Sequence, residues 1–354
     1  MVGDRVSRPA QGASRHETAP RAERAASARI HPGRPARPVP KRPGRRLIAF
    51  IAGLILALPA LADEAVHVAT LGIPKAPDFV GLSGIDLSPD GERFVAISDR
   101  GWFLTGRIER EDGRPVAFQP DGPRVFMLNM QGHRMRSHER DAEGLAVAPD
   151  GRVFVSFEVF HRVRSWRDIH EPATWMPDLP DIDRLRPNSG IEALALGPDG
   201  ALYALPEALV DAAGVPVYRF PLPPPQIRSD GTPADHYAST RWSRAFSLPA
   251  RGRFRPVGAD FGPDGRFYLL ERDFMAPIGF RSRVRRFEIG PDGPRDETVL
   301  LETPVGRHGN LEGISVWQDD AGAIRLTMVA DDNGLALQRN ELVEYRVVSS
   351  AAEG

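Results

Sequence analysis

The 354-residue chain has no cysteine. That excludes a disulfide framework, a thiol nucleophile and any Cys-ligated zinc or iron–sulfur centre. Lysine is almost missing: only Lys41 and Lys75 occur, which reads as codon bias and leaves arginine to supply positive charge. No apolar run approaches the ~20 residues of a membrane-spanning helix; the longest, Leu47–Leu58, has twelve. Extended helical periodicity is missing too. The formal charge of −1 conceals a split, because residues 1–62 hold twelve Lys/Arg against three Asp/Glu, leaving 34 basic and 44 acidic residues beyond them. An acidic body of this kind is a poor partner for nucleic acid and a better one for cations.

Residues 1–62 read as a leader. The first 44 are rich in Arg, Pro and Ala and are expected to be disordered. Arg45-Arg46, the twelve-residue apolar run and Ala60-Leu61-Ala62 then supply the parts of a secretory signal peptide, with cleavage expected after Ala62. The paired arginines allow a twin-arginine route. The expectation is a periplasmic or extracellular monomer, with no stable membrane span after cleavage and one domain over 63–354.

In that domain one sentence recurs: an acid, an apolar strand, a tight turn, a second apolar strand and another acid. It runs from Glu143 through Pro149-Asp150-Gly151 to Glu158, and from Glu192 through Pro198-Asp199-Gly200 to Glu207. Gly81–Asp99, Val257–Arg272 and Asn310–Asp332 are variants of it. Pro-Asp-Gly between apolar runs is a strong hairpin signal. Hairpins repeated at spacings of roughly 45 to 65 residues are the signature of a β-propeller. The expected fold is therefore an all-β single propeller. Leu342–Val348 is expected to pair with Val66–Ile73 and close the array, giving six blades, or five on the second count.

Acids recur at two phases. Glu143, Glu192 and Glu312 open inner strands, where Ser83 and Val257 stand in the other repeats. Asp99, Glu158, Glu207 and Asp331 end the next strands, with Arg272 in the fourth repeat. Antiparallel pairing brings the two phases together at one mouth of the channel. Like charges so arranged repel and raise one another's pKa, so a cation is expected there. Oxygen ligands favour Ca²⁺. The expected metal set is Asp99, Glu143, Glu158, Glu192, Glu207, Glu312, Asp331 and Asp332, with Glu143, Glu192 and Glu312 as the catalytic candidates. Arg100, Arg272, Arg307 and His308 are the candidates for orienting a small anionic ester. Solvated loop acids, or acids pinning neighbouring strands through backbone N–H groups, are the plainer alternative.

Gly81-Leu-Ser-Gly-Ile, Ser98-Asp-Arg-Gly, Glu143-Gly-Leu-Ala, Ile191-Glu-Ala-Leu, Asn310-Leu-Glu-Gly-Ile and Ala330-Asp-Asp-Asn together resemble the phytase-like family, "esterase-like activity of phytase". The resemblance spans residues 75–346. It implies an exported propeller whose Asp/Glu set serves phosphoester cleavage, with Asp99, Glu143, Glu192, Glu312 and Asp331 as the family's acidic positions. The leading expectation is a Ca²⁺-dependent phosphoesterase. A metal-dependent lactonase or carboxylesterase, and a non-catalytic periplasmic binding or scaffold propeller with structural calcium, are the alternatives.

Overall fold

The computed structural model describes residues 63–332 and 338–349. The leader, its cleavage position and Asn333 lie outside the described residues. Strand β1 (Glu64–Gly72) enters first. Blade 1 is β2 (Leu82–Leu87), β3 (Arg93–Ser98), β4 (Trp102–Glu111) and β5 (Arg114–Pro120), with the short β6 (Val125–Phe126) also on β4. Blade 2 is β7 (Ala142–Val147), β8 (Val153–Phe157), β9 (Arg162–Trp166) and β10 (Thr174–Trp175). Blade 3 is β11 (Ile191–Leu196), β12 (Ala201–Pro206), β13 (Val215–Pro221) and β16 (Ser243–Leu248), its long loop carrying the small ribbon β14 (Gln226–Ile227) and β15 (Pro233–Ala234). Blade 4 is β17 (Arg255–Phe261), β18 (Phe267–Met275), β19 (Gly279–Gly290) and β20 (Gly293–Glu302). Blade 5 is β21 (Asn310–Gln318), β22 (Ile324–Asp331), β23 (Glu341–Val348) and, as its outer strand, β1.

The protein is thus an all-β propeller of five blades, the second of the two counts. The sixth blade does not exist because the pairing of β1 with β23, correctly anticipated, completes the sheet of the fifth hairpin. The inner strands β2, β7, β11, β17 and β21 each meet the next, and β21 meets β2, in a closed cycle. Closure removes the free sheet edge that a linear stack of hairpins would expose.

Each middle strand packs on a neighbouring blade from both faces, so it reads as a nearly unbroken apolar run rather than an alternating one. All of Val153–Phe157 and all of Ala201–Pro206 are buried. Five apolar clusters fill the five gaps between blades, anchored for example by Phe154 and Tyr218 between blades 2 and 3, and by Trp102 and Trp317 between blades 5 and 1. The Pro-Asp-Gly turns are local structure. Asp90, Asp150, Asp199 and Asp264 each accept the backbone N–H two residues on, while Gly91, Gly151, Gly200 and Gly265 take positive φ. These turns occupy the end of each hairpin opposite the repeated acids.

Inner strands share one further irregularity. Pairing slips by one residue in all five, at Ser83, at Glu143-Gly144, at Glu192, at Val257 and at Glu312. A β-bulge re-aims the side chain it carries. Here it turns the repeated acid position into the channel. A Cβ on Gly313 would lie 2.8 Å from the Cα of Gly84, and one on Gly258 would lie 2.7 Å from the Glu312 carbonyl oxygen. Five inner strands therefore close the channel to a residual gap of about 10 Å³ beneath the acids. The mouth is a cup, not a pore.

Candidate functional site

The cup holds about 600 Å³ and is lined mostly by charge. Its symmetry follows from the hairpins. At the mouth, within each second strand or directly after it, one residue lies opposite the residue two before the bulge: Asp99 and Gly81, Glu158 and Asp141, Glu207 and Gly190, Arg272 and Arg255, Asp331 and Asn310. Of the acids expected from sequence, Asp99, Glu143, Glu158, Glu192, Glu207, Glu312 and Asp331 all line the cup, together with Arg272. Asp141, Asn188, Arg253, Arg255, Asp273, Phe274, Phe280 and Asn310 line it as well. The usable clue to Asp141 was its place opposite Glu158.

Other candidates stand elsewhere. Asp332 is buried outside the cup lining and meets Lys75 at 3.8 Å. Arg100 lies outside the cup lining and pairs with Asp99 at 3.2 Å. Arg307 and His308 line a separate groove with His67 and Arg339. The His308 ring is held by the Tyr345 hydroxyl at 2.6 Å and by Glu341 at 3.6 Å. Proximity in sequence to Asn310 had suggested the site; the turn before β21 carries these two side chains to another surface.

The acids divide into two halves. Arg272 donates to Glu312 at 2.5 Å, to Asn310 Oδ1 at 2.7 Å and to Glu207 at 3.4 Å. Asn310 Nδ2 donates to Glu312 at 2.7 Å, Ser189 to Glu207 at 2.7 Å, and the Gly190 amide to Glu192 at 3.1 Å. Burial works against the Arg272 charge, yet Glu312, Glu192 and Glu207 outweigh it and hold the guanidinium protonated more firmly than usual. In that half three carboxylates share one guanidinium, and burial still raises Glu312 against its pull.

Across the cup, Asp141, Glu143 and Glu158 can bring one oxygen each within 4.8 Å of one another. Among the described residues no arginine, lysine or histidine comes within ion-pair distance of any of the three. Burial, then Glu192 and Glu312, push the Glu143 carboxyl well above the ordinary range. Burial, then Asp141, raise Glu158 to about 7. Burial also raises Asp141, against the pull of Arg100 and Arg140. Glu192 is only 7% exposed and is raised by burial, then by Glu207 and Glu158. Burial and Asp331 lift Asp99 to about 7.

The uncompensated trio suits a hard cation. Ca²⁺ sits ~2.3–2.6 Å from its oxygens, so two ligands of one ion are at most about 5 Å apart. The observed limit of 4.8 Å meets that bound. With no thiol or imidazole in the cup lining, a zinc site of the usual nitrogen and sulfur donors does not fit.

Comparison with solved structures finds an α-L-arabinofuranosidase from Podospora anserina at 12% identity and TM-score 0.47, covering 81% of this chain and 98% of that one. The catalytic domain of a GH62 α-L-arabinofuranosidase from Coprinopsis cinerea matches at 12% identity and TM-score 0.46, covering 81% and 98%. A protein described as a putative gluconolactonase matches at 15% identity and TM-score 0.36, covering 81% and 93%. These distances carry nothing about activity. No curated protein matches the chain in sequence. The family model for "Phytase-like: Esterase-like activity of phytase", by contrast, matches residues 77–334, which takes in all five bulged inner strands and every acid of the cup. By that match the chain belongs to the phytase-like family.

Proposed function

We propose that the protein is an exported, Ca²⁺-dependent hydrolase of an anionic ester, a phosphoester first, acting in the acidic cup. One observation carries the reading: Asp141, Glu143 and Glu158 are gathered with no basic side chain among the described residues at ion-pair distance, beside acids that share the one Arg272. Ca²⁺ held by those three would supply the positive charge that polarises an ester and stabilises charge developing on it. Glu192, buried and hydrogen-bonded to the Gly190 amide, would take a proton from water as a general base, burial making its carboxylate more basic than usual. Arg272 fixes Glu312 and Glu207 in place through its hydrogen bonds. The basic flank, apolar run and Ala60-Leu61-Ala62 support export.

Phe274 and Phe280 on the lip favour a second reading, a lactone or carboxylic ester as substrate, because a cup built for polyanions has little use for apolar walls. The test is hydrolysis by purified protein, stripped with chelator and then given Ca²⁺, over phosphomonoesters, phosphodiesters, lactones and carboxylic esters. Calcium-restored phosphoester turnover, lost in Glu192→Gln at unchanged melting temperature, supports the first reading. Turnover confined to lactones or carboxylic esters supports the second. A calcium-raised melting temperature without turnover on any ester would leave a binding propeller.

A further inference from the structure

Blade 4 breaks the pattern of the cup. At the three positions that the other blades fill with acids or neutral residues, it carries Arg255, Val257 and Arg272. The two arginines lie directly opposite one another, and like charges so placed are unfavourable unless each has a use. Arg272 is satisfied by Glu312, Asn310 and Glu207. Arg255 is not. It lines the cup half-buried, its hydrogen bond is a 3.4 Å contact to the Phe254 carbonyl, and among the described residues no carboxylate lies within ion-pair distance of it.

Among the described residues, the same blade is the one whose second hairpin runs on as paired strand past the mouth. Strand β18 continues three residues past Arg272 to Met275, and β19 returns from Gly279. Phe274 and Phe280 pair across this extension with ring centroids 4.8 Å apart. Both line the cup, yet Phe274 is 52% exposed. Arg255 pairs in register with Arg272, two residues before Phe274 on the same strand. A free guanidinium and an exposed aromatic side chain thus share one lip of the cup, a recognition surface with one anionic and one apolar demand.

We infer that blade 4 forms a subsite that grips a single anionic group with Arg255 and an adjoining aromatic or other apolar group with Phe274 and Phe280. The ligand class is an aryl- or alkyl-substituted monoester anion rather than a densely phosphorylated one. One free arginine neutralises one anionic group, and the surrounding carboxylates repel further negative charge. Calling that ligand a substrate rests on the hydrolase reading; the subsite itself does not.

Binding separates the two. Phenylphosphonate and methylphosphonate, which carry the same anion and cannot be hydrolysed as esters, are titrated calorimetrically into Ca²⁺-loaded protein. The expected result is at least ~10-fold tighter binding of phenylphosphonate, a gap removed by Phe280→Ala, and a loss of ~10-fold or more for both probes in Arg255→Gln. Arg255→Lys, keeping the charge, recovers part of that loss, and melting temperatures check that each variant folds. Equal affinity for the two probes, no binding of either, or an Arg255→Gln variant that binds as well as the parent would overturn the subsite. Phenylphosphonate binding with no ester turnover would sink the hydrolase reading and leave the subsite standing.

Discussion

Arg272 of blade 4 donates to Glu312 of blade 5 at 2.5 Å, and both side chains are largely withdrawn from water, at 18% and 15% exposure. The contact ties two blades together at the rim and decides which acids of the cup have a counter-ion. Removing one partner of such a pair strands the other charge. Arg272→Met is therefore expected to cost ~3–5 kcal/mol, read in denaturant unfolding. Pairing it with Glu312→Met is expected to recover a good part of the loss. Equal stability of Arg272→Met and the parent would show the pair to be idle.

The acids of the cup make stability depend on pH in an unusual direction. Asp99 and Glu158 titrate near 7 in the folded chain, well above the unfolded values of ~4. At the other end of the channel, burial lifts Asp86 to about 7 as well. A carboxyl with a raised folded pKa binds its proton more tightly in the folded state, so its penalty is absent below ~4 and complete above ~7. Metal-free protein should gain stability as pH falls from about 7 towards 5, with melting temperature rising by roughly 5 °C. Saturating Ca²⁺ should flatten the share that comes from the cup. A melting temperature that falls steadily over the same interval would contradict these ionisation states.

Asp141→Asn is expected to weaken Ca²⁺ binding by about tenfold or more, because it removes one of three clustered carboxylates. It should not destabilise the metal-free chain, since it relieves repulsion. Asp332→Asn, which alters a residue paired with Lys75 outside the cup, should leave the Ca²⁺ isotherm unchanged. Calorimetric titration of both variants checks the assignment, and a reversed order would move the metal away from Asp141.

Gly313→Ala places a methyl 2.8 Å from the Gly84 Cα, against backbone that the closed ring holds in place. Overpacking of this kind costs ~1–3 kcal/mol. The expected readout is a lower melting temperature together with weaker Ca²⁺ binding, because the Glu312 bulge and the Glu143 bulge share the displaced inner ring. Gly113→Ala, at a turn where no atom lies within 4 Å of the new Cβ, tests backbone strain at φ 71° and should leave Ca²⁺ affinity intact.

Hairpin pairing is local, so the sequence determined it. Apolar runs specify β2–β3, β7–β8, β11–β12, β17–β18 and β21–β22, with Asp-Gly turns at fixed phase in the first four and acids at matching ends in the second, third and fifth, and bring seven of the expected acids to one mouth. The pairing of the first strand with the last was legible too, since Val66–Ile73 and Leu342–Val348 flank the repeated hairpins at the two ends of the array. What only the tertiary structure decided depends on closing the ring. Five blades rather than six follow from where β1 docks. The one-residue bulges escape a period-two pattern, yet they aim Glu143, Glu192 and Glu312 inward. Arg307 and His308, adjacent in sequence to the fifth inner strand, turn away from the cup. Asp141 meets Glu143 and Glu158, while Arg272 is spent on Glu312 and Arg255 is left free, because charges tens of residues apart become neighbours only when the blades meet.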